Sequence, residues 1–203
     1  MLIYEMKIAP SPRRVRIFLA EKGISNIEYK EINLQTGENR TPEFRAISPF
    51  GLVPVLELDD GTHIAETLAI CRYFEELQPE PPLYGRNPKE KALVEQWNRF
   101  VELNFFMPTG MCFQHTSSYF AKFKTQVPAW GELCRKGVHD FIERMEKHFA
   151  DNEYLVGDYY SIADISAYCA LDFSKVNDIR LGEQHVNTRR WHEAMKSRAS
   201  AKA

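Results

Sequence analysis

Residues 53–64 have the sequence Val53-Pro54-Val55-Leu56-Glu57-Leu58-Asp59-Asp60-Gly61-Thr62-His63-Ile64. Two runs rich in apolar residues flank Asp59-Asp60-Gly61, a strong hairpin turn because Asp and Gly tolerate the backbone angles that a tight turn requires. We therefore predict two antiparallel strands here. A proline where a strand begins cannot donate a hydrogen bond to the sheet, so Pro54 is expected at a bend or an edge.

The residues before this hairpin predict a βαβ unit. Leu2-Ile3-Tyr4 is a short strand, and Ser11-Pro12 opens a helix, because serine is a good N-cap and proline at the first helical position loses no needed N–H. Gly23 stands where a C-cap glycine belongs. Tyr29-Lys30-Glu31-Ile32 is the next strand, and the two strands are expected to run parallel through a right-handed crossover.

The remaining elements of this half complete a small α/β domain. Thr41-Pro42 repeats the cap-and-proline signal before a short helix, and a longer helix begins at Glu66-Thr67 after the hairpin. The order βαβ-α-ββ-α predicts a four-stranded mixed sheet with helices, the thioredoxin-like arrangement, over residues 1–78. Residues 79–87 are predicted to be a linker, since their three prolines and one glycine fit no regular element.

Only helices are predicted for residues 88–203, which we expect to form an all-α bundle. Asn87-Pro88 is an N-terminal cap, and apolar residues then recur at helical spacing as far as Pro108. A second long helix runs from Cys134 to Phe149. A third follows Ser161, whose partner Asp164 occupies the acidic position of a capping box.

Composition excludes several classes of function. The formal net charge is -2 with no basic block, whereas nucleic-acid binding needs a concentrated Lys/Arg face, so no nucleic-acid partner is expected. The chain begins without a signal peptide and has no apolar run of about 18 residues, so we expect a cytoplasmic protein without a membrane partner. The four cysteines lie far apart without a CxxC pair, which argues against a metal site, a dithiol centre or a disulfide framework.

Two features indicate a small peptide-like ligand. If the Val53-Pro54 bond is cis, the N–H and C=O of the preceding residue turn outward, and an extended peptide can pair with them. Glu66-Thr67 lies at a helix N-terminus, where free N–H groups suit a carboxylate, Thr67 adds a donor and Glu66 can pair with an ammonium group. The alternatives are an ordinary edge-strand proline and a plain helix cap.

Two further side chains are candidates for catalysis. Ser11 stands where redox domains of this arrangement place a reactive cysteine, and no cysteine follows it, so disulfide exchange is excluded. Its hydroxyl could donate to a bound thiolate, although a pure helix cap would look the same. His115 lies in a polar and aromatic stretch and could orient a water or polarise an electrophile. A solvent-facing or interface histidine is the alternative.

Five segments together carry a more specific signal. They are Arg14-Val15-Arg16-Ile17-Phe18-Leu19-Ala20-Glu21-Lys22-Gly23, Ser48-Pro49-Phe50-Gly51-Leu52-Val53-Pro54-Val55-Leu56, Ala65-Glu66-Thr67-Leu68-Ala69-Ile70, Leu83-Tyr84-Gly85, and Tyr154-Leu155-Val156-Gly157 with Ser161-Ile162-Ala163-Asp164. In this order and spacing the chain resembles the cytosolic glutathione S-transferase family over nearly its whole length. The pattern is most similar to that of bacterial and atypical fungal members.

The resemblance implies a glutathione site in the N-terminal domain. Val53 would pair its backbone with the cysteinyl unit, with Pro54 in the cis form; Glu66 and Thr67 would hold the γ-glutamyl end, and Arg40 the glycyl carboxylate. Ser11 would activate the thiol, with His115 as a second catalytic candidate. The hydrophobic substrate would lie against the helical domain, between the loop after the first strand and the helices around residues 100–120. Family members are usually homodimers, and neither a metal nor a further cofactor is implied.

The implied reaction is conjugation of the glutathione thiolate to small hydrophobic electrophiles, with peroxide reduction as a second activity. Two departures keep alternatives open. Many relatives place an activating Ser or Cys one or two positions earlier, where this chain has Ala9 and Pro10, and Leu52 replaces a frequent polar residue. A non-catalytic glutathione-binding or regulatory protein on the same fold, and a glutathione-dependent isomerase or dehalogenase, are the alternatives.

Overall fold

The computed structural model describes residues 1–203, which form two compact units. The N-terminal unit comprises Met1–Pro82 together with Ala199–Ala203, and the helical unit comprises Leu83–Arg198. The elements of the N-terminal unit are β1 (Leu2–Glu5), α1 (Pro10–Glu21), β2 (Glu28–Glu31), a 3₁₀ turn (Glu38–Arg40), α2 (Pro42–Ile47), β3 (Val55–Glu57), β4 (His63–Ala65), α3 (Thr67–Leu77) and a final 3₁₀ turn (Ala199–Lys202).

The four strands form one mixed sheet in the order β2-β1-β3-β4. β1 pairs with β2 in parallel, with Ile3 opposite Tyr29, and pairs with β3 antiparallel on its other side. The predicted hairpin is present as the antiparallel pair β3 and β4. The thioredoxin-like arrangement predicted from the sequence is therefore confirmed.

The sheet of the N-terminal unit buries apolar residues on both faces. Tyr4 packs with Ile32, Phe44 and Val55, so that α2 is held on the sheet by Phe44. The neighbouring Ile3 points to the opposite face, because successive side chains of a strand alternate, and it too is fully buried. Helices α1 and α3 pack against each other.

The start of α1 differs from the prediction. The N-cap is Ala9, which makes no side-chain cap, and the helix begins at Pro10 rather than after Ser11. Ser11 is therefore the second helical residue, and Pro12 the third. The physical reason is that Pro10 fits the first helical position as well as Pro12 does, since the first N–H groups of a helix have no partner inside it.

The helical unit contains α4 (Pro88–Val101), a π-helical turn (Glu102–Phe106), α5 (Met107–Thr116), α6 (Pro128–His148), α7 (Ile162–Ser174) and α8 (Val186–Ser197), with short 3₁₀ turns at Ser118–Phe120 and Lys175–Asn177. The predicted all-α organisation is confirmed. None of these helices is long and apolar enough to span a bilayer.

The helix predicted to stop at Pro108 instead continues to Thr116. Proline lacks an N–H and its ring crowds the preceding turn, which would break an ordinary α-helix. Here the π-helical turn directly precedes Pro108, and wider turns of this kind accommodate such interruptions. The Thr109 hydroxyl then donates to the carbonyl of Phe105 at 2.7 Å, which helps to satisfy the backbone at the irregularity.

The predicted capping box of α7 forms the centre of a buried network. Asp164 is fully buried and accepts hydrogen bonds from the Ser161 N–H and hydroxyl, both at 3.1 Å. Its other oxygen accepts from the Leu155 N–H at 3.0 Å and from the indole N–H of Trp191 at 3.1 Å. One carboxylate thus ties the start of α7 to the preceding loop and to α8.

Candidate functional site

A cavity of about 140 Å³ opens in the N-terminal unit, between the first turn of α1, the loop that joins α2 to β3, and the start of α3. The predicted site residues that line it are Ser11, Val53, Pro54, Glu66 and Thr67. Residues from three separate parts of the sequence therefore meet at one place. Arg14, Ser48 and Leu52 also line the cavity.

The Val53-Pro54 peptide bond on the cavity wall is cis, as the family resemblance implies. The Val53 N–H and C=O take part in no hydrogen bond within the protein, because β3 starts only at Val55. An extended peptide ligand can therefore pair with both groups.

The loop before Val53 is held by short side-chain bonds. The Ser48 hydroxyl donates to the Leu52 carbonyl at 2.9 Å and accepts from the Leu52 N–H at 3.0 Å. Gly51 has a φ of +63° and lies so close to Asn39 that a Cβ would stand 2.6 Å from the Asn39 carbonyl oxygen, so only glycine fits. The Asn39 amide also donates to the Gly51 carbonyl at 2.7 Å.

Glu66 and Thr67 form the start of α3. Glu66 is the N-cap with φ 72° and ψ 124°, a backbone conformation that costs a non-glycine residue roughly 1–3 kcal/mol. Its side chain makes no cap hydrogen bond, and the start of α3, with the positive end of the helix dipole, lies at the cavity. Strain of this kind typically persists at binding sites.

Arg14 connects the two helix starts. Its side chain is only 5% exposed, and its Nη2 donates to the Thr67 hydroxyl at 3.2 Å and to the Ser11 hydroxyl at 3.5 Å. The Thr67 hydroxyl in turn donates to the Ser11 carbonyl at 3.4 Å. Sequence reasoning missed Arg14 as a site residue. The available signal was its spacing, since residues three apart on a helix share one face.

The other two predicted site residues lie elsewhere. Arg40 is the exposed last residue of the 3₁₀ turn Glu38–Arg40 and is not among the residues that line the cavity. His115 belongs to the helical unit, where it is buried near the end of α5 and its Nδ1 accepts from the Val127 N–H at 2.9 Å. This bond places the proton of a neutral imidazole on Nε2 and fixes the connection from α5 to α6.

Comparisons with known proteins identify the family of the chain. The family model described as the N-terminal domain of glutathione S-transferases matches residues 9–77, and that of the C-terminal domain matches residues 116–199. Glutathione S-transferase 2 of Saccharomyces cerevisiae is 36% identical, over 100% of this chain and 88% of that protein.

Solved structures give the same result. The crystal structure of Gtt2 from Saccharomyces cerevisiae has a TM-score of 0.96 at 36% identity and covers 100% of this chain and 99% of its own. A glutathione S-transferase domain-containing protein from Marinobacter aquaeolei has a TM-score of 0.93 at 34% identity, covering 98% and 99%. Because relatives at least 34% identical match nearly the whole of this chain, the chain belongs to the glutathione S-transferase family, a family of transferases.

Proposed function

We propose that the protein transfers the thiolate of glutathione to small hydrophobic electrophiles and binds the tripeptide in the cavity of the N-terminal unit. The observation that carries the proposal is the composition of the cavity wall. It brings together the open peptide groups of Val53, the uncapped start of α3 with Glu66 and Thr67, and the Ser11 hydroxyl.

Each part of glutathione has a partner of suitable chemistry. The α-carboxylate of the γ-glutamyl residue is assigned to Thr67 at the positive end of α3, and its ammonium group to Glu66. The cysteinyl backbone is assigned to Val53, which directs the sulfur toward Ser11. Arg40 is proposed for the glycyl carboxylate, although it stands outside the cavity lining.

In the proposed reaction the thiol of bound glutathione gives its proton to solvent, and Ser11 donates a hydrogen bond to the resulting thiolate. The thiolate attacks an electrophilic carbon, a C–S bond forms, and the leaving group departs with its electron pair.

In the helical unit, the ring of Phe113 lies 5–6 Å from those of Tyr119, Phe120 and Phe173, which offers an aromatic surface for a hydrophobic substrate. His115 remains a catalytic candidate in the same unit.

Glu66 gives a test in which stability and binding change in opposite directions. Glu66→Gly should raise the free energy of unfolding by about 1 kcal/mol, because glycine accepts a positive φ without strain. The same change removes the carboxylate proposed to bind the ammonium group, so the Kd for glutathione should rise about tenfold or more. Urea-induced unfolding and titration calorimetry measure the two effects.

Glu66→Gln is the matched control, since it removes the charge but keeps the side chain at a positive φ. It should weaken glutathione binding without the gain in stability. Wild-type affinity in both variants would contradict the proposed site.

Turnover of a chlorodinitrobenzene with glutathione tests the reaction itself. Tight glutathione binding without consumption of any electrophile or peroxide would exclude the transferase function.

A homodimer is proposed from the exposure of one aromatic residue. Phe50 is 82% exposed at the tip of the loop that Ser48 and Gly51 hold in place. Large apolar side chains displayed on a fixed loop commonly insert into a partner, and a second copy of this chain is the occupant that we propose.

Phe50→Ser should therefore convert the dimer to a monomer at micromolar concentration, as measured by analytical ultracentrifugation. Truncating a buried aromatic anchor commonly costs about 2 kcal/mol or more of association free energy. Ile8→Ser is the control, because Ile8 is 78% exposed but is not part of that loop. A Phe50→Ser protein that remains dimeric would exclude this contact.

We also propose that the protein acts in the cytoplasm. None of its four cysteines forms a disulfide bond, which suits a reducing compartment.

A further inference from the structure

We propose that Arg14 is the positioning residue that promotes ionisation of the glutathione thiol, acting through Ser11 while it also orients Thr67. The proposal rests on the proposed function. It is carried by the geometry of one buried guanidinium that donates to the hydroxyls at both helix starts of the cavity.

The first turn of α1 offers few other groups to a thiolate. Ala9 at the N-cap has no hydroxyl, and Pro10 and Pro12 have no N–H to donate. The Ser11 N–H donates to no group within the protein, so the helix start presents the N–H and the hydroxyl of this single residue. At most helix N-termini several N–H donors share the stabilisation of a bound anion. At the start of α1 the donors available to a thiolate both belong to Ser11.

Arg14 acts on that residue directly. Because Arg14 donates to the Ser11 oxygen, the hydroxyl hydrogen of Ser11 remains available for the sulfur. A hydroxyl that accepts from a cation becomes a stronger donor, since hydrogen bonds in a chain polarise one another. The contact between Arg14 and Ser11 also fixes the position of the Ser11 hydroxyl, because Thr67 bonds both to Arg14 and to the Ser11 carbonyl.

The charge of Arg14 contributes as well. The charged side chains that line the cavity are Arg14 from α1 and Glu66 from α3, and the loop between α2 and β3 contributes none. Glu66 lies at the end assigned to the γ-glutamyl group, whereas Arg14 contacts Ser11 at the end assigned to the sulfur. A cation within a few ångströms of a thiol typically lowers its pKa by about one to three units.

The experiment titrates the ultraviolet absorbance of the thiolate of bound glutathione against pH. Arg14→Gln should raise the thiol pKa by about one to two units and lower turnover at neutral pH by about tenfold or more, with recovery at higher pH. Ser11→Ala keeps the guanidinium and the Ser11 backbone N–H, so its thiol pKa should rise less than that of Arg14→Gln.

Arg14→Lys separates charge from geometry. It should keep the thiol pKa closer to the wild-type value, but with a KM for glutathione raised severalfold, because an ammonium group lacks the planar fork that serves two hydroxyls. Arg13→Gln is the control: Arg13 donates to the Ala201 carbonyl and does not line the cavity, so the thiol pKa should not move.

A folded Arg14→Gln or Arg14→Lys protein that binds glutathione with an unchanged thiol pKa and unchanged KM would overturn the proposal. If Arg14→Gln does not fold, a thiol pKa in Arg14→Lys that rises by two units or more despite the retained charge would also overturn it. The proposed function fails separately, when the wild-type protein itself binds no glutathione in calorimetry.

Discussion

Replacing Asp164 with alanine is expected to lower the free energy of unfolding by about 3–5 kcal/mol at pH 5. The variant leaves the N–H groups of Leu155 and Ser161 and the indole N–H of Trp191 without their acceptor in a buried region. It also removes the capping box that starts α7. Urea-induced unfolding followed by circular dichroism at fixed protein concentration measures the loss.

The pH dependence of this effect has a defined sign. Burial raises the pKa of Asp164 to about 6, and the hydrogen bonds that lower it only partly offset the burial. The folded state therefore binds the proton more tightly than the unfolded state, where the ordinary value is 3.8. The stabilisation is complete below that value and is lost as the pH rises through about 6. The difference between wild type and Asp164→Ala should thus be smaller at pH 7.5 than at pH 5.

Asp158→Ala is the control for Asp164, since Asp158 is an exposed carboxylate in the preceding loop. It should change the unfolding free energy by less than about 0.5 kcal/mol at either pH. A loss under about 1 kcal/mol in Asp164→Ala, or a larger loss at pH 7.5 than at pH 5, would contradict the role assigned to the buried carboxylate.

Lys22→Met is expected to cost about 3–5 kcal/mol of unfolding free energy. The Lys22 side chain is fully buried after the end of α1, pairs with Glu75 of α3 at 2.5 Å, and donates to the carbonyls of Gln78, Pro79 and Pro81 at 2.6–3.1 Å. Its loss removes the cation that faces a buried carboxylate and releases the backbone that follows α3. Unfolding in urea and the rate of proteolysis in residues 78–85 should both report the change.

A second substitution makes the Lys22 test specific. The double variant Lys22→Met with Glu75→Leu removes both charges of this buried pair. It should therefore recover part of the stability that Lys22→Met loses. Lys89→Ala, at an exposed position in the first turn of α4, should have little effect. A double variant less stable than the sum of the two single changes would show that the ion pair is not the source of the cost.

Features governed by neighbouring residues were predictable from the sequence. The Thr41, Asn87 and Ser161 side chains each accept from a backbone N–H two or three residues later, as their helix starts required. The hairpin at Asp59-Asp60-Gly61 and the glycine after α1 follow from backbone angles in the same local way.

Features that depend on distant contacts were not predictable. Pro10 and Pro12 satisfy the same local rule for the start of α1, and only packing decides between them. The helix through Pro108 depends on a π-helical turn at which Phe105 stacks on Phe141 of α6, with ring centres 5.1 Å apart. Arg14 bonds to Thr67, and Lys22 to Gln78, each more than fifty positions away, so spacing along the chain could not reveal these two contacts.

The final 3₁₀ turn has a consequence for any attempt to divide this chain. Ala199–Ala203 belongs to the N-terminal unit, where the Arg13 guanidinium donates to the Ala201 carbonyl and the Ser200 hydroxyl bonds to Glu21. A fragment cut after Pro82 would contain every residue that lines the cavity, yet α1 would lose both contacts. The smallest complete version of the glutathione-binding unit is therefore two pieces of chain, and fusion or fragment designs should rejoin residues 199–203 to residues 1–82.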